Sequence, residues 1–552
     1  MNKENTDELL FLPLGGTGEI GMNLNLYRCQ GKWLIVDLGV SFGDDSLPGI
    51  DVFMPDPSFI AERRDDLLAI VLTHAHEDHL GAVAHLWDRL RCPVYATPFA
   101  ATLLTGKLAE ANLEAVVPLH VVPLGGRVTI GPFDIEFITQ THSIPEPNSL
   151  AIRTPLGTVL HTGDWKFDPN PLIGDPADVG RLKELGDEGV LAIVGDSTNV
   201  FKEGTSGSEA DVRESLDELF GQFRGRIAVA CFATNVARVE SIAVAAARHD
   251  RHVALVGRSL WRIDKAAREN GYLVGVPPFL DEHDAAYLPE DKVVYICTGS
   301  QGEPRAALAR IADGSHPHVT LGKGDVVVFS SRIIPGNEKS IFRLQNRLIR
   351  QGVGVITEKD HFVHVSGHPG REEMTRLYQL VRPAVSVPVH GEQRHLQEHA
   401  KLAGACGVGR SVILEDGEIL KLAPGEPEVV DIVSTGRLAV DGTRLVSMDS
   451  AIMRDRHRMV YNGSAVVTVV LDRVGNLVGD PQVSAQGLLD AGQESEQHEA
   501  VVDAVRDALD ELSRIARQSD DLVKETARLA LRRHLKQSHG KKPVTEVHLV
   551  RI

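Results

Sequence analysis

The chain has 552 residues, of which 43% are hydrophobic and 24% charged, and its formal net charge is −18. This length exceeds what one hydrophobic core normally supports, so we expect two or three domains. The acidic balance argues against a protein that coats nucleic acid non-specifically, because such proteins carry a basic excess. It leaves open an enzyme that accepts a polyanion only at a basic channel.

The cysteines are scattered and form no CxxC pair, which argues against a thiolate zinc cluster and against a disulfide framework: Cys29, Cys92, Cys231, Cys297 and Cys406. We therefore expect any metal to be held by His and carboxylate side chains. The first residues lack the basic start and apolar stretch of a signal peptide, and no later apolar run is long enough to cross a bilayer. A cytoplasmic protein is expected.

From Leu9 to about Val200 the sequence is a series of short apolar runs that end in polar residues or glycine, such as WLIVDLG, LLAIVLTHAH, GTVLHTGD and VLAIVGDSTN. Such runs are typical of buried strands, and α/β folds build their sites at the carboxyl ends of strands. We predict a mixed α/β unit over residues 1–207.

At about Ser208 the pattern changes to a regular alternation that begins with the helix SEADVRESLDELFGQF and the strand RIAVACFATN. This alternation predicts a parallel-sheet unit over residues 208–352. After Gly352, the runs GVGVIT, HFVHVSGH and VSVPVHGE again indicate short strands, so residues 353–423 return to the first pattern. The middle unit is therefore predicted to be an insertion.

The remaining chain divides into two stretches. Residues 424–457 are interrupted by Pro and Gly and are predicted to be a linker. Residues 458–552 predict a small α/β domain with strands in MVYNGSAVVTVVLD and GNLVGDPQVSAQG, two amphipathic helices from about Glu494 to Gln537, and the final strand TEVHLVRI. The charges along these helices suit a solvated face and equally one side of a subunit contact.

The clearest chemical signal is the sequence HAHEDH at positions 74–79, directly after the apolar run LLAIVLT. A turn that leaves a strand can direct alternate side chains to one point, so His74 and His76 can share one ion while Asp78 and His79 face a second. Two ions about 3.5–4 Å apart are the arrangement that two-metal hydrolysis requires. A solvated His-rich loop and a helical HxxxH zinc site are the alternatives.

This HxHxDH run resembles the metallo-β-lactamase superfamily, and the resemblance implies an αββα sandwich. Asp37 in WLIVDLG matches the early aspartate that orients a metal-binding histidine, and later ligands match His142 in TQTHSIPEPNS, Asp164 in HTGDWKFD and His390 in VPVHGEQ. The resemblance implies that His74, His76 and His142 hold one ion, that Asp78, His79 and His390 hold the other, and that Asp164 bridges them. Taken singly, Asp164 could cap a turn, and His142 or His390 could be a hydrogen-bonded strand-end residue.

The insertion and the motifs that follow it resemble the β-CASP nucleases, whose additional acidic residue and two histidines match Asp196 in VGDSTN, His368 in HVSGHPG, and His390. Within that group, GGTGEIGMN, GDWKFD, CTGSQGEPRAAL and SSRIIPGNE are most similar to the ribonuclease J family. Trp165 and Pro369 depart from the family pattern without touching a ligand position. Residues 1–207 and 353–423 then correspond to the metallo-β-lactamase domain.

The resemblance implies a metal-dependent ribonuclease of RNA maturation and decay, a 5′-to-3′ exonuclease that prefers 5′-monophosphate ends and also cuts internally. Its catalytic residues would be Asp78, Asp196, His368 and His390. His368, oriented by Asp196, would protonate the leaving 3′ oxygen. The alternatives are a small-molecule esterase, a β-CASP DNA nuclease and a non-catalytic RNA-binding scaffold.

Two stretches are candidates for contact with the substrate. Ala233, Thr234 and Asn235 follow a strand and offer a hydroxyl and an amide, although a strand-to-helix turn capped by Thr or Asn explains them equally well. The stretch His364, Val365, Ser366, Gly367 and His368 suits a phosphate, because Ser and Gly let backbone N–H groups approach an anion. A strand end that happens to contain histidine is the alternative.

Zinc is the first expectation for the two ions because the ligands are rich in histidine, and the carboxylates leave manganese and magnesium open. The resemblance also raises a peripheral calcium at Gly49 and Asp51 in LPGIDVFMPD, for which an ordinary acidic loop is the alternative. The expected partners are single-stranded RNA with a 5′-monophosphate, further copies of the chain in a homodimer or homotetramer, and other RNA-decay enzymes.

Overall fold

The computed structural model describes residues 7–43, 47–489 and 496–552. These residues form two compact units. The first comprises residues 7–41 and 54–435, and the second comprises residues 42–53 and 436–552 so far as they are described.

The segment before the insertion is mainly strands, with short helices between them. Its strands are β1 Leu9–Gly15, β2 Thr17–Gly18, β3 Leu24–Cys29, β4 Lys32–Leu38, β5 Ser41–Phe42, β6 Val52–Pro55, β7 Leu67–Val71, β8 Val94–Ala96, β9 Leu119–Val121, β10 Arg127–Ile130, β11 Phe133–Thr139, β12 Asn148–Thr154, β13 Gly157–His161 and β14 Ala192–Asp196. Its helices are α1 Ser58–Ala61, α2 Glu77–Leu80, α3 Val83–Leu90, α4 Pro98–Glu110 and α5 Val179–Glu188.

The inserted segment alternates helices and strands, as its sequence predicts. Its elements are α6 Glu209–Phe220, β15 Ile227–Ala230, α7 Val236–Arg248, β16 His252–Val256, α8 Arg258–Glu269, α9 Glu282–Ala285, β17 Val293–Cys297, α10 Ala307–Ala312, β18 Val326–Phe329, α11 Glu338–Arg350 and β19 Gly354–Ile356. The five strands form one parallel sheet in the order β16-β17-β15-β18-β19.

The chain then returns to the first segment. The elements that follow are α12 Arg371–Val381, β20 Val385–Val389, β21 Gly391–Glu392, α13 Gln393–Ala405, β22 Arg410–Ser411, β23 Glu418–Ala423 and β24 Glu428–Ile432. They complete two sheets of the first unit, with strand orders β24-β23-β1-β3-β4-β7-β8-β9 and β10-β11-β12-β13-β14-β20-β22.

The two sheets enclose the main hydrophobic core. This core combines Leu34 and Val71 of the first sheet with Ile152 and Val194 of the second. A further core lies where α5, α12 and α13 cover the second sheet, and α4 contacts β8 and β9 of the first. The predicted αββα sandwich with an inserted parallel-sheet domain is therefore confirmed.

Two local predictions were wrong. GVGVIT does not return to the sheets of the first segment, since β19 pairs with β18 and completes the inserted sheet after α11. HFVHVSGH is not a strand. The carbonyl of Val363 in this stretch accepts hydrogen bonds from Ser330 Oγ at 2.7 Å and from Arg238 Nη1 at 3.0 Å, so side chains satisfy this backbone group instead of a neighbouring strand.

The range 424–457, for which the sequence predicts a linker, contains regular structure. β24 extends the first sheet, and β25 Arg437–Asp441 and β26 Arg444–Ser447 form a hairpin in a four-stranded sheet with β5 and β6. Pro and Gly separate these strands without preventing them. The helix α14 Ala451–Asn462 follows, so MVYN is helical and not part of a strand.

The rest of the second unit is a small α/β fold. Its elements are β27 Ser464–Leu471, β28 Gln482–Ser484, α15 Glu496–Asp510, α16 Asp520–His539 and β29 Val544–Arg551, with the sheet order β28-β27-β29. Val467 and Val469 pack against Val505 and Leu531 of the two helices. The predicted helix start at Glu494 lies outside the described residues. No helix in the described part of the chain has both the length and the apolar character needed to cross a bilayer.

Candidate metal centre

The HAHEDH segment forms a tight turn at the end of β7. The chain leaves the buried strand, is extended at His76, and begins α2 at Glu77. His74 and His79 are buried at 0% and 2% exposure. The turn is anchored at its start by Asp37, whose carboxylate accepts hydrogen bonds from the backbone N–H and the hydroxyl of Thr73, both at 2.8 Å.

Three other stretches of the chain bring their side chains to this turn. Two groups of potential ligand atoms result, each with all atoms within 4.8 Å of one another. The first is His74, His76, His142 and Asp164, and the second is Asp78, His79, Asp164 and His390. All seven residues expected from the sequence to bind metal thus lie in one cluster.

Asp164 lies between the two groups. Its Oδ2 is 3.2 Å from Nε2 of His79 and 3.7 Å from Nε2 of both His142 and His390. Burial alone would raise the pKa of Asp164, but the facing imidazoles of His390 and His79 outweigh burial and hold that pKa well below its ordinary value. The carboxylate is therefore ionised and can be shared by two cations.

The cluster fits divalent cations, because two of its buried ligand atoms have no hydrogen-bond partner among the described residues. Oδ1 of Asp164 and Nε2 of His390 are both buried without a hydrogen bond. An uncompensated polar atom of this kind is costly, and a cation would satisfy both. Burial also lowers the pKa of His74 and His76 well below the usual value and that of His142 to about 3, so these imidazoles are neutral and each keeps one nitrogen lone pair.

Outer contacts orient the imidazoles. Asp37 accepts a hydrogen bond from Nδ1 of His79 at 2.7 Å, as its sequence match implies, and the carbonyl of Gly367 accepts one from Nδ1 of His142 at 2.6 Å. Each contact leaves Nε2 directed into the cluster. Hydrogen bonds of this type fix both the tautomer and the ring orientation of metal-binding histidines.

A third group joins Asp196 and His368 to Asp164. Nδ1 of His368 lies 2.8 Å from Oδ2 of Asp196 and 3.9 Å from Oδ2 of Asp164. Burial lowers the pKa of His368, but the negative charges of Asp196 and Asp164 outweigh it and raise that pKa to about 9. The imidazole is therefore protonated at neutral pH and borders the cluster.

The stretch 364–368 is a loop beside His142, not a sheet strand. Ser366 Oγ accepts hydrogen bonds from Nδ2 of Asn199 at 2.7 Å and from the N–H of His368 at 3.2 Å. Nδ1 of His364 is buried and has no hydrogen-bond partner in the part of the chain that the structure describes. Burial first, and then the positive charges of Arg238, Arg332, Lys166 and Lys202, hold the pKa of His364 well below the usual value. The loop therefore lies in a positive electrostatic environment.

The other residues predicted to contact substrate or calcium do not belong to the cluster or to the 364–368 loop. Asn235 is buried and caps α7, since its side chain accepts a hydrogen bond from the N–H of Arg238 at 2.9 Å and donates one to Glu209 at 3.0 Å. Its amide is thus engaged within the protein, while Ala233 and Thr234 are half-buried. Gly49 and Asp51 belong to the second unit, where the carbonyl of Asp51 accepts a hydrogen bond from the N–H of Gly43.

Two asparagines that the sequence analysis did not single out contact the site, one at the cluster and one at the 364–368 loop. Asn23 lies against His79 and His390. Asn199 donates to Ser366 and to the carbonyl of His368, and its Oδ1 accepts a hydrogen bond from Arg332 at 2.7 Å. Both lie at the ends of quoted motifs, GGTGEIGMN and GDSTN. The sequence signal that could have identified them is an uncharged amide at the end of a glycine-containing motif.

Models of four families match the chain. They are "Metallo-beta-lactamase superfamily" over residues 23–224, "Ribonuclease J, beta-CASP domain" over 224–348, "Zn-dependent metallo-hydrolase RNA specificity domain" over 352–408 and "Ribonuclease J C-terminal domain" over 451–552.

Curated relatives match over nearly the whole chain. A protein named Ribonuclease J from Sinorhizobium meliloti is 46% identical over 99% of this chain and 98% of its own length. Proteins of the same name from Mycolicibacterium smegmatis and Synechocystis are 40% and 38% identical, over 86% and 92% of this chain and 85% and 80% of their own. A solved structure of a protein of unknown function from Enterococcus faecalis has a TM-score of 0.51 at 14% identity, over 75% of this chain and 100% of its own, which shows a shared fold.

Proposed function

The chain belongs to the ribonuclease J family of metallo-β-lactamase-type hydrolases, and on that premise we propose that it hydrolyses RNA phosphodiester bonds with two divalent cations. The observation that carries this proposal is the position of Asp164, whose carboxylate is common to two groups of His and Asp ligand atoms.

We assign the first ion to His74, His76 and His142, the second to Asp78, His79 and His390, and the bridging position to Asp164. Zinc suits the imidazoles, and the carboxylates also accept manganese or magnesium. Divalent ions held by these residues would supply Lewis-acid chemistry for activating a water molecule and for neutralising charge on the phosphate.

The chain's own proton donor in this proposal is His368. Protonated at neutral pH and held by Asp196 at 2.8 Å, its imidazole can transfer a proton to the 3′ oxygen that leaves the phosphorus. Asp196 then stabilises the orientation of the ring, and its buried charge keeps the donor protonated before the reaction.

We further propose that the loop 364–368 binds the 5′-terminal monophosphate, which favours 5′-to-3′ exonuclease action alongside internal cleavage. Nδ1 of His364, which has no hydrogen-bond partner among the described residues, and the hydroxyl of Ser366 are polar groups of this loop, and the positive charges of Lys166, Lys202 and Arg332 act on His364. A single phosphate suits this charge, whereas a 5′-triphosphate adds bulk and further negative charge.

Three assignments remain, for subunit contact, calcium and substrate contact. We propose that the C-terminal domain, residues 458–552, joins copies of this chain in a homodimer or homotetramer, and that Gly49 and Asp51 contribute to a calcium site. Thr234 is the residue of the 233–235 turn whose hydroxyl we assign to substrate contact.

The proposal is tested with the purified, zinc-loaded protein and one RNA sequence carrying a 5′-monophosphate, 5′-hydroxyl or 5′-triphosphate end, beside the matched DNA. We expect the 5′-monophosphate RNA to be degraded fastest and to release mononucleotides, and His76→Ala to remove turnover. Equal rates on all three ends would contradict the phosphate pocket. Turnover that survives in His76→Ala, or that is as fast on DNA, would contradict the two-metal ribonuclease.

A further inference from the structure

The motif GGTGEIGMN pairs with the backbone at His390 and directly after it. The carbonyl oxygen of Gly16 accepts a hydrogen bond from the N–H of His390 at 2.7 Å, and β2 pairs in parallel with β21, directly after that histidine. His390 itself has a positive φ of 52°, a conformation that a non-glycine residue adopts only with support from its surroundings. The motif supplies that support.

The last residue of the motif, Asn23, reaches the side chain of His390. Nδ1 of His390 lies 3.2 Å from Oδ1 and 3.0 Å from Nδ2 of Asn23, and Nδ2 also lies 3.2 Å from Nε2 of His79. The backbone N–H and Nδ2 of Asn23 both donate to the carbonyl of Asp78, at 2.9 and 3.1 Å. One amide, 2% exposed, thus contacts Asp78, His79 and His390.

The absence of a side chain at Gly16 leaves room for the amide of Asn23. A Cβ atom on Gly16 would collide with Oδ1 of Asn23, and Gly16 adopts a φ of 91°. A residue with a side chain at position 16 would therefore have a strained backbone, and its Cβ would displace the amide oxygen of Asn23.

Two pairings fit the distances: the amide N–H of Asn23 can donate to Nδ1 of His390, or the amide oxygen can accept a proton that Nδ1 carries, and only the second leaves the Nε2 lone pair for a metal. The amide oxygen of Asn23 can only accept a hydrogen bond, so it pairs with Nδ1 of His390 when Nδ1 carries the proton. The lone pair then lies on Nε2. That atom has no hydrogen-bond partner and is 3.7 Å from Oδ2 of Asp78 and from Oδ2 of Asp164.

We propose that Asn23 is a positioning residue of the second metal site, holding His390 in the tautomer and orientation that direct Nε2 at the second ion. Its loss selectively weakens the second site and leaves the first, at His74, His76 and His142, intact. This inference rests on the proposed function, because it takes these side chains as metal ligands.

Asn25 provides a matched control. It lies two residues further on, in β3, is 1% exposed, and its Oδ1 has no hydrogen-bond partner. Asn25→Ala removes a buried amide from the same segment, as Asn23→Ala does, but from a position without a hydrogen bond to the cluster. Asn23→Asp keeps an acceptor for Nδ1 of His390 and serves as the conservative variant.

The experiment measures zinc binding by the full-length protein without RNA. Metal-free wild type and the three variants are dialysed against a series of free Zn²⁺ concentrations, zinc per subunit is determined by mass spectrometry, and folding is followed by circular dichroism. We expect two ions in wild type and in Asn25→Ala. In Asn23→Ala we expect the first ion to bind unchanged and the second to need about 10- to 100-fold more free zinc, with most of that loss restored in Asn23→Asp.

The inference would be overturned if Asn23→Ala bound both ions as Asn25→Ala does, or if both sites were weakened equally. Should Asn23→Ala not fold, it would be overturned by a folded Asn23→Asp whose second ion needs as much additional free zinc as is expected for Asn23→Ala. Failure of the wild type to take up two ions would instead contradict the proposed function, and the inference with it.

Discussion

Nδ1 of His368 lies 2.8 Å from Oδ2 of Asp196, although 172 residues separate them in the sequence. Asp196 ends β14 and His368 ends the loop after the insertion, so the pair links the chain segments on either side of the insertion. The contact makes His368 a charged donor with a fixed direction.

His368→Ala is expected to lower kcat on RNA by about 10²- to 10⁴-fold with little change in KM, because the leaving 3′ oxygen loses its proton donor. On RNA with a bridging 3′ sulfur the loss should be small, since a thiolate leaves without protonation. Asp196→Asn should change the rates on the oxygen and sulfur substrates in the same directions as His368→Ala does. Asp178→Asn, at the N-terminus of α5, is the control, and an equal loss on the oxygen and sulfur substrates would refute this role.

Gly367→Ala is expected to weaken metal binding at the first site. A Cβ on Gly367 would lie 2.6 Å from Nδ1 of His142 and 2.7 Å from Oγ of Ser143, so the imidazole must move from its position. Zinc content after dialysis measures the effect, with a loss of about 10-fold or more in affinity.

Gly106→Ala is the matched control for this change. It lies within α4, and no atom is within 4 Å of its added Cβ, so the substitution should leave metal binding unchanged and stabilise the helix by about 1 kcal/mol. Equal zinc binding in the two variants would show that His142 tolerates the displacement.

The stability of the protein should fall in mildly acidic solution partly because of His399. Burial lowers the pKa of His399 to about 4, and its two ring nitrogens contact Ser197 at 2.8 Å and Tyr378 at 2.7 Å. As the pH falls from about 6.5 to about 4, the unfolded chain binds a proton that the folded protein does not. The stability contributed by the neutral ring is therefore lost in that window, by up to about 3 kcal/mol.

His399→Gln removes this titration, so its unfolding temperature should depend less on pH between 7 and 4.5 than that of the wild type. The exposed His283 supplies the control variant, His283→Gln, whose pH dependence should match the wild type. Parallel curves for His399→Gln and the wild type would disprove the assignment.

Tyr272→Phe is expected to destabilise the first unit by about 1–2 kcal/mol. The buried Glu146 accepts hydrogen bonds from the N–H of Phe99 at 2.8 Å and from the hydroxyl of Tyr272 at 3.0 Å, which joins the α4 helix to the insertion. Burial already raises the pKa of Glu146, so a lost donor leaves a poorly compensated carboxyl group. Thermal unfolding measures the change, and Tyr287→Phe, at an exposed tyrosine, should have no effect.

The sequence by itself determined the elements that are specified by a pattern within one segment of the chain. The apolar run before His74 made a buried strand, the alternation after Ser208 made a parallel sheet, and the spacing of HAHEDH placed four ligand atoms in one turn. These features depend on periodicity and on short-range geometry, which one segment contains in full.

The tertiary structure decided what depends on partners far along the chain. His390 could equally have been a strand-end residue by its sequence alone, and only in the folded chain does its Nδ1 meet the side chain of Asn23, which lies 367 residues earlier. HFVHVSGH has the composition of a strand but forms a loop, because Ser330 and Arg238 satisfy the carbonyl of Val363. Hydrogen bonds between distant segments leave no periodic trace in either one, so only the folded chain reveals which of several locally acceptable conformations is adopted.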